Sequence, residues 1–281
     1  MPAAETLPEQ AWMLHARFAR WKSYMNNWLE KIGHQTLELL QKIGAAFGLF
    51  FQALRWTFTP PVYLKNIVQQ MEVIGVQSIP VVLITSLSTG MVLALQSHTG
   101  FKRFHAENLV GTVVALSVTR ELGPVLTGLI VAGRAGAAMA AELGTMRVTE
   151  QIDALSTLAV NPVKYLIIPR LIAGFIMLPV LTVFADIIGI VGGYFISVEY
   201  LSANPVIYLR RTIEFLHGND IYGGLLKACV FGILISIVCS YKGFTTEGGA
   251  VGVGKATTGA VVLSMILIIV SDYFLATLLF E

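Results

Sequence analysis

Five stretches of the chain are apolar and long enough to cross a lipid bilayer, which takes about 20 mostly apolar residues. Val73 to Phe101 contains no Asp, Glu, Lys or Arg. Asn108 to Ala132 is apolar apart from Arg120 and Glu121, and Leu171 to Val198 apart from Asp186. Ile221 to Tyr241 carries only Lys227, and Ala256 to Phe280 only Asp272. A different pattern precedes them. Leu29, Ile32, Thr36, Leu40, Ile43, Phe47, Phe50 and Leu54 recur at three- and four-residue steps, with Glu30, Lys31, Gln35, Glu38, Lys42 and Gln52 between them. That spacing puts the apolar residues on one face of a helix. Trp12, Trp21, Trp28 and Trp56, all the tryptophans of the chain, fall in the same region. A basic amphipathic helix rich in Trp and Phe suits the headgroup plane, although a helix packed on a partner protein has the same periodicity. Pro60 and Pro61 end it. The pattern predicts an all-α polytopic membrane protein: a tail over residues 1–25, an interfacial amphipathic region over 26–72, and a five-span domain over 73–281.

Composition agrees. Apolar residues make up 55% and charged residues 13%, against about 25% charged in a soluble domain. A soluble enzyme fits poorly. The net charge of +2 is too mild for a nucleic-acid partner. Cys229 and Cys239 lie in one apolar run, with neither disulfide-framework nor metal spacing. No signal-peptide pattern opens the chain. Basic residues orient the spans. Residues 1–72 carry Arg17, Arg20, Lys22, Lys31, Lys42, Arg55 and Lys65; residues 134–170 carry Arg134, Arg147, Lys164 and Arg170; residues 242–255 carry Lys242 and Lys255. With the N-terminus inside, these thirteen face four on the other side, Lys102, Arg103, Arg210 and Arg211. The expectation is a cytoplasmic N-terminus and an outer C-terminus.

Residues 121–170 carry the most local information. Gly128, Ala132, Gly136, Ala140 and Gly144 form a ladder at four-residue spacing, with Gly133, Ala137 and Ala141 beside it. Such ladders let helix backbones approach closely in lipid, within one subunit or between two. Arg134 and Glu142 inside the ladder imply a helix that continues past the membrane surface. Glu150 to Leu158 then reads as a short helix, with Thr149 as N-cap and acidic residues in its first turn. Leu155 and Leu158 share a face near Ile152. Asn161-Pro162 breaks the chain after it. A short amphipathic helix between two spans on the positive side is placed for a cytoplasmic partner, or is an ordinary connection.

Charges inside spans are costly unless paired or wetted. Arg120 and Glu121 could bridge helices, with Asp186 or Asp272 as buried partners for Arg120, or line a headgroup cavity in which Arg120 attracts phosphate. Pro124 would loosen the ladder there. Asp186 and Asp272 read as structural. Gln96, His98, Phe101 and Phe104 crowd the outer end of the first span.

The block GRAGAAMAAELGTMRVTEQIDAL, Gly133–Leu155, with NPVKYLIIPR, Asn161–Arg170, resembles the signature of the MlaE-type permeases, the membrane subunits of ABC transporters that work on lipids with MCE-domain proteins. VTRELGP, Val118–Pro124, GMVLALQ, Gly90–Gln96, ATTGAVV, Ala256–Val262, and DYFLATLLF, Asp272–Phe280, resemble further family motifs. Asn161 stands where the family commonly has Asp, and Ala159 where Gly is frequent. The resemblance implies a homodimeric permease in a bacterial inner membrane. Its coupling helix, at about 147–160, would seat Arg147, Glu150, Gln151, Asp153, Ala154, Leu155 and Leu158 against a cytoplasmic ABC ATPase. A periplasmic MCE-domain protein, and a small STAS-domain protein in some assemblies, would complete the complex. Leu93, Gln96, Phe101, Phe104, Arg120 and Glu121 are the candidate contacts for phospholipid. No GxxxxGK[ST] phosphate loop occurs, so ATP would be bound by the partner and the chain itself would need no cofactor and catalyse no reaction. The rival is a secondary transporter or channel for an apolar solute. Those commonly gather carboxylates in broken helices of an internal repeat, and neither repeat nor gathering is present. An intramembrane lipid enzyme would need a grouping of nucleophile and base that His98 and His105 do not supply.

Overall fold

The computed structural model describes residues 33–34, 36–38, 40–57, 59–60 and 63–280. The tail, Trp12, Trp21 and Trp28 lie outside the described residues. Eight helices, α1 to α8, cover nearly all of the rest, and no strand occurs among the described residues. They are α1 Thr36–Thr57, α2 Leu64–Lys102, α3 Glu107–Val148, α4 Gln151–Thr157, α5 Val163–Tyr200, α6 Pro205–Phe215, α7 Gly218–Phe244 and α8 Gly249–Phe280. Six of these are long and apolar enough to cross a membrane. Five contain the spans expected from the sequence; the sixth is α1, so length and composition permit a crossing where amphipathicity suggests a headgroup-plane helix.

The chain up to Gly48 and the chain from Leu49 onward are separate compact units. In the first, Lys42 pairs with Glu38 at 2.7 Å along the helix surface, and Leu37, Leu40 and Phe47 are exposed. In the second, Ala53 is buried with Ile167, Leu171 and Ile237, and Trp56 packs on that cluster.

The main core joins α2, α3, α5, α7 and α8 through Val82, Val131, Met139, Leu181, Phe231, Ile235 and Ile268. The α2–α5 crossing is nearly backbone to backbone. A Cβ on Gly90 would lie 1.9 Å from the Gly189 carbonyl oxygen, so only glycine permits this approach. The small-residue ladder of α3 is spent inside the chain: Gly128 faces Phe231 and Ile268, Gly136 faces Cys239 and Ile235, and Gly144 faces Thr246 and Val253. As expected, α3 runs unbroken past the ladder to Val148. Gly248 and Gly249, at φ 85° and 64°, make the turn from α7 into α8, a left-handed path that residues with a Cβ take only under strain.

At the end of the bundle away from α4, α6 is capped by Asn204, whose Oδ1 accepts from the amides of Val206 and Ile207. It anchors through Tyr208 and Thr212. Burial pushes the Tyr208 hydroxyl above its usual range.

Candidate functional site

Arg120 and Glu121 sit on a π-helical turn of α3, Val118–Leu122. Such a turn inserts a residue into the α-helical ladder and re-aims its side chains. Successive residues on a helix point about 100° apart, and these two diverge accordingly. Arg120 donates through Nε to Asp220 Oδ1 at 2.8 Å, and its Nη2 lies 2.6 Å from the same oxygen. The other Asp220 oxygen accepts from the His217 amide at 2.9 Å, closing the start of α7. Glu121 accepts from Lys227 Nζ at 2.7 Å, and Lys227 reaches Asp272 at 3.0 Å. The Phe280 ring covers both cations, 4.9 Å from Arg120 and 5.3 Å from Lys227, a favourable placement against the negative ring face. Three helices are thereby tied together by two cations and three carboxylates. Lys227 has no exposure, whereas the Arg120 and Glu121 side chains keep 39% and 41% of theirs.

The expected partners of Arg120 need correcting. Neither Asp186 nor Asp272 pairs with it: Asp272 belongs to Lys227, and Asp186 is buried alone. Asp186 Oδ1 lies against Gly123, with no hydrogen-bond partner among the described residues. Sequence reading missed Asp220, because its contact with Arg120 spans 100 residues. The legible signal was Lys227, a lone cation in an apolar run that had to find a carboxylate.

The other candidate contacts divide. A groove of about 320 Å³ is lined by Ser88, Thr89, Val92, Leu93, Gln96 and Leu122. A second, of about 490 Å³, is lined by Leu95, Gln96, Thr99, Gly100, Arg103 and Phe104. Gln96 borders both, Leu93 the first and Phe104 the second. Phe101 instead packs on the cluster of Ala94, Val110, Val114 and Tyr208. Glu121 is followed directly by a groove residue, Leu122.

At the opposite end, α4 is one residue shorter at each end than expected. Thr149 is not its cap; the Thr149 hydroxyl donates back to the Thr145 carbonyl at 2.8 Å. Glu150 precedes the helix in a left-handed conformation, φ 60°, without a side-chain cap. Arg147 bridges to Asp153 at 2.6 Å. Ile152 is buried with Leu143 and Leu166, and Leu155 packs on that cluster. Leu158 does not share their burial; it is 73% exposed, because the helix has ended before it. Gln151, Asp153 and Ala154 are exposed as well. Asn161 Oδ1 accepts from the amides of Val163 and Lys164 at 3.0 and 3.3 Å, a role an Asp would fill equally. Arg170, almost wholly buried, pairs with Glu142 at 2.7 Å, fixing the α3 extension to the start of α5.

Arg134 has a role not foreseen. α2 is interrupted by a tighter turn at Val76–Ser78, which frees backbone carbonyls. Arg134, on the π-helical turn Ala132–Gly136, donates to the Val73 carbonyl, to the Ile74 carbonyl at 3.4 Å, to Ser78 Oγ at 2.9 Å and to Gln77 Oε1 at 3.3 Å. The guanidinium, with its five fixed donors, shares the break with the Ser78 hydroxyl, which donates to the Ile74 carbonyl at 2.7 Å.

A helical bundle that crosses a membrane several times, with grooves along one span, paired charges within it and a partly exposed short helix at one end, has the build of a membrane permease. The comparisons agree. The family model of the permease MlaE matches residues 67–278. A probable ABC transporter permease protein of Rickettsia prowazekii is 52% identical over 251 residues, 89% of this chain and 96% of that protein. The intermembrane phospholipid transport system permease protein MlaE of Haemophilus influenzae is 34% identical over 90% of this chain and 98% of that protein. The chloroplastic protein TRIGALACTOSYLDIACYLGLYCEROL 1 of Arabidopsis thaliana is 40% identical over 78% of this chain and 63% of that protein. The chain belongs to the MlaE permease family and is a multi-pass membrane protein.

Proposed function

We propose that the protein is the permease subunit of an ABC-type transporter that moves phospholipid between a bacterial inner membrane and a periplasmic MCE-type carrier. It acts as a homodimer and is driven by a separate cytoplasmic ATPase, with a STAS-domain subunit in some assemblies. Its own work is a switch between two packings, not covalent chemistry. The carrying observation is α4. Ile152 and Leu155 root it in the bundle, while Gln151, Asp153, Ala154 and Leu158 stay uncovered next to the Arg147–Asp153 pair. A helix held on one face and bare on the other suits a groove in a partner. The α4 side faces the cytoplasm on this reading, in keeping with the thirteen basic residues assigned to it.

The lipid is placed along α2, with Leu93, Gln96 and Phe104 lining its path. Phe101 supports that wall from behind. Arg120 and Glu121 form the charged flank, where lipid entry has to compete with Asp220 and Lys227. Glu150→Lys and Leu155→Asp test the coupling: both variants should insert normally yet lose co-purified ATPase or its stimulated hydrolysis. Full co-purification and full turnover in both would remove α4 from that role.

A further inference from the structure

We propose that Arg103 is the headgroup anchor of the lipid path, receiving the phosphate of a phospholipid whose acyl chains lie along α2. The inference rests on the lipid-permease reading and adds to it a residue and a ligand chemistry. Three of the six cations at the α6 end of the bundle are committed, and of the three without an ion pair among the described residues, Lys102, Arg103 and Arg210, only Arg103 lines a groove. Arg120 is held by Asp220, Lys227 by Glu121 and Asp272, and Arg211 by Glu214 at 3.6 Å. Arg103 follows the last residue of α2 and is exposed; its amide donates to the Phe101 carbonyl, while its guanidinium has no ion-pair or hydrogen-bond partner among the described residues. It is also a cation that borders a groove, the 490 Å³ one that Phe104 and Gln96 share with it. The nearby carboxylate in sequence, Glu107, forms no ion pair with it.

Position gives the site its shape. Ser88, Val92, Gln96, Thr99 and Arg103 follow one another at three- and four-residue steps, so they form one stripe along α2. The two grooves share Gln96 as a lining residue, so their lining along α2 runs from Ser88 to Arg103 and Phe104. At 1.5 Å per residue that lining is about 22 Å long, longer than one leaflet of a hydrocarbon core about 30 Å thick. Beyond Ser88 and Thr89, it offers apolar lining at Val92, Leu93, Leu95 and Leu122, polar groups at Gln96 and Thr99, and a cation at its mouth. From Val92 to Arg103 that is the order of parts in a phospholipid. The guanidinium fork matches two phosphate oxygens at once, which an ammonium cannot do.

The test uses the chain reconstituted with its ATPase in phosphatidylglycerol vesicles containing a phosphatidylglycerol with a photoactivatable acyl chain. Crosslinks are mapped by peptide, and inorganic phosphate is added in a parallel arm. Wild type should label the Ser88–Phe104 peptide. Arg103→Ala should lower that labelling about tenfold, the 1.4 kcal/mol equivalent of one charged contact, with unchanged thermal stability because Arg103 is exposed. Arg103→Lys should retain part of it. Added phosphate should not compete. Equal labelling in Arg103→Ala would overturn the proposal, as would competition by inorganic phosphate, which would make this a free-anion site. Labelling confined to the peptide containing Arg120 would overturn it while leaving a lipid permease standing. No lipid labelling anywhere, and no lipid transfer, would remove the underlying reading as well.

Discussion

Removing the Lys227 ammonium is the most informative single perturbation of the bundle. Lys227 has no exposure and lies 2.7 Å from Glu121 and 3.0 Å from Asp272. At an effective dielectric of about 20, those separations correspond to attractions of about 6 and about 5.5 kcal/mol. Several kcal/mol of desolvation oppose them, so the attractions are not net gains. Lys227→Met keeps the length and the packing but leaves two carboxylates facing each other without a cation. Stranding a buried charge costs about 3–5 kcal/mol. Glu121 keeps 41% of its exposure and can turn to water, which places the loss near 3 kcal/mol. That is a shift of about a hundredfold in the folding equilibrium. The assay is thermal unfolding of purified protein in one detergent, followed by size-exclusion monodispersity. Lys227→Met should melt several degrees lower. The triple variant Lys227→Met, Glu121→Gln, Asp272→Asn should recover most of the loss, since it removes all three charges together. A single variant as stable as wild type, or a triple variant no better than the single, would refute the argument that these charges are coupled.

Arg134→Ala should destabilise the break in α2, because the Val73 carbonyl loses the guanidinium while the Ile74 carbonyl keeps the Ser78 hydroxyl, and a buried group left without its partner costs about 1–3 kcal/mol; Arg134→Lys should recover only part, and equal melting of all three proteins would deny the clamp. Gly90→Ala pushes a Cβ to within 1.9 Å of the Gly189 oxygen and should cost about 3 kcal/mol, the upper range for overpacking, read as lost expression or a lower melting point. A cysteine at Asn204 should react with an impermeant thiol reagent from outside intact spheroplasts and one at Glu247 should not; equal labelling would invalidate the orientation drawn from the basic residues.

Hydrophobic runs located the five expected spans, because a bilayer demands about 20 apolar residues per crossing whatever the tertiary packing; α1 was legible from its three- and four-residue periodicity instead. Boundaries were less legible. α2 begins at Leu64 and α3 continues to Val148, since a helix end outside the lipid is set by caps and packing and leaves no apolar signal. α4 was found within a residue, yet Thr149 failed as its cap because its hydroxyl had a nearer acceptor in the preceding turn. The charged residues show where local reading stops. Arg120, Glu121, Lys227 and Asp272 each stood out as a charge in an apolar run, but who pairs with whom depends on helix rotation, which the sequence does not encode locally. Asp220 sits in the first turn of a helix, where a carboxylate is ordinary, and so gave no warning of its contact with Arg120. The MlaE signature between Gly133 and Arg170 carried the functional expectation; composition alone would have ended at a polytopic membrane protein.

ATP-driven lipid transfer tests the central claim most directly. The chain would be co-expressed with its ATPase and reconstituted in vesicles carrying radiolabelled phospholipid, and transfer to or from a soluble MCE-type domain would be counted with and without ATP. The expected result is transfer that requires ATP hydrolysis and is lost in Leu155→Asp. Transfer that follows an ion gradient without the ATPase, or no lipid movement by a complex that hydrolyses ATP, would contradict the account.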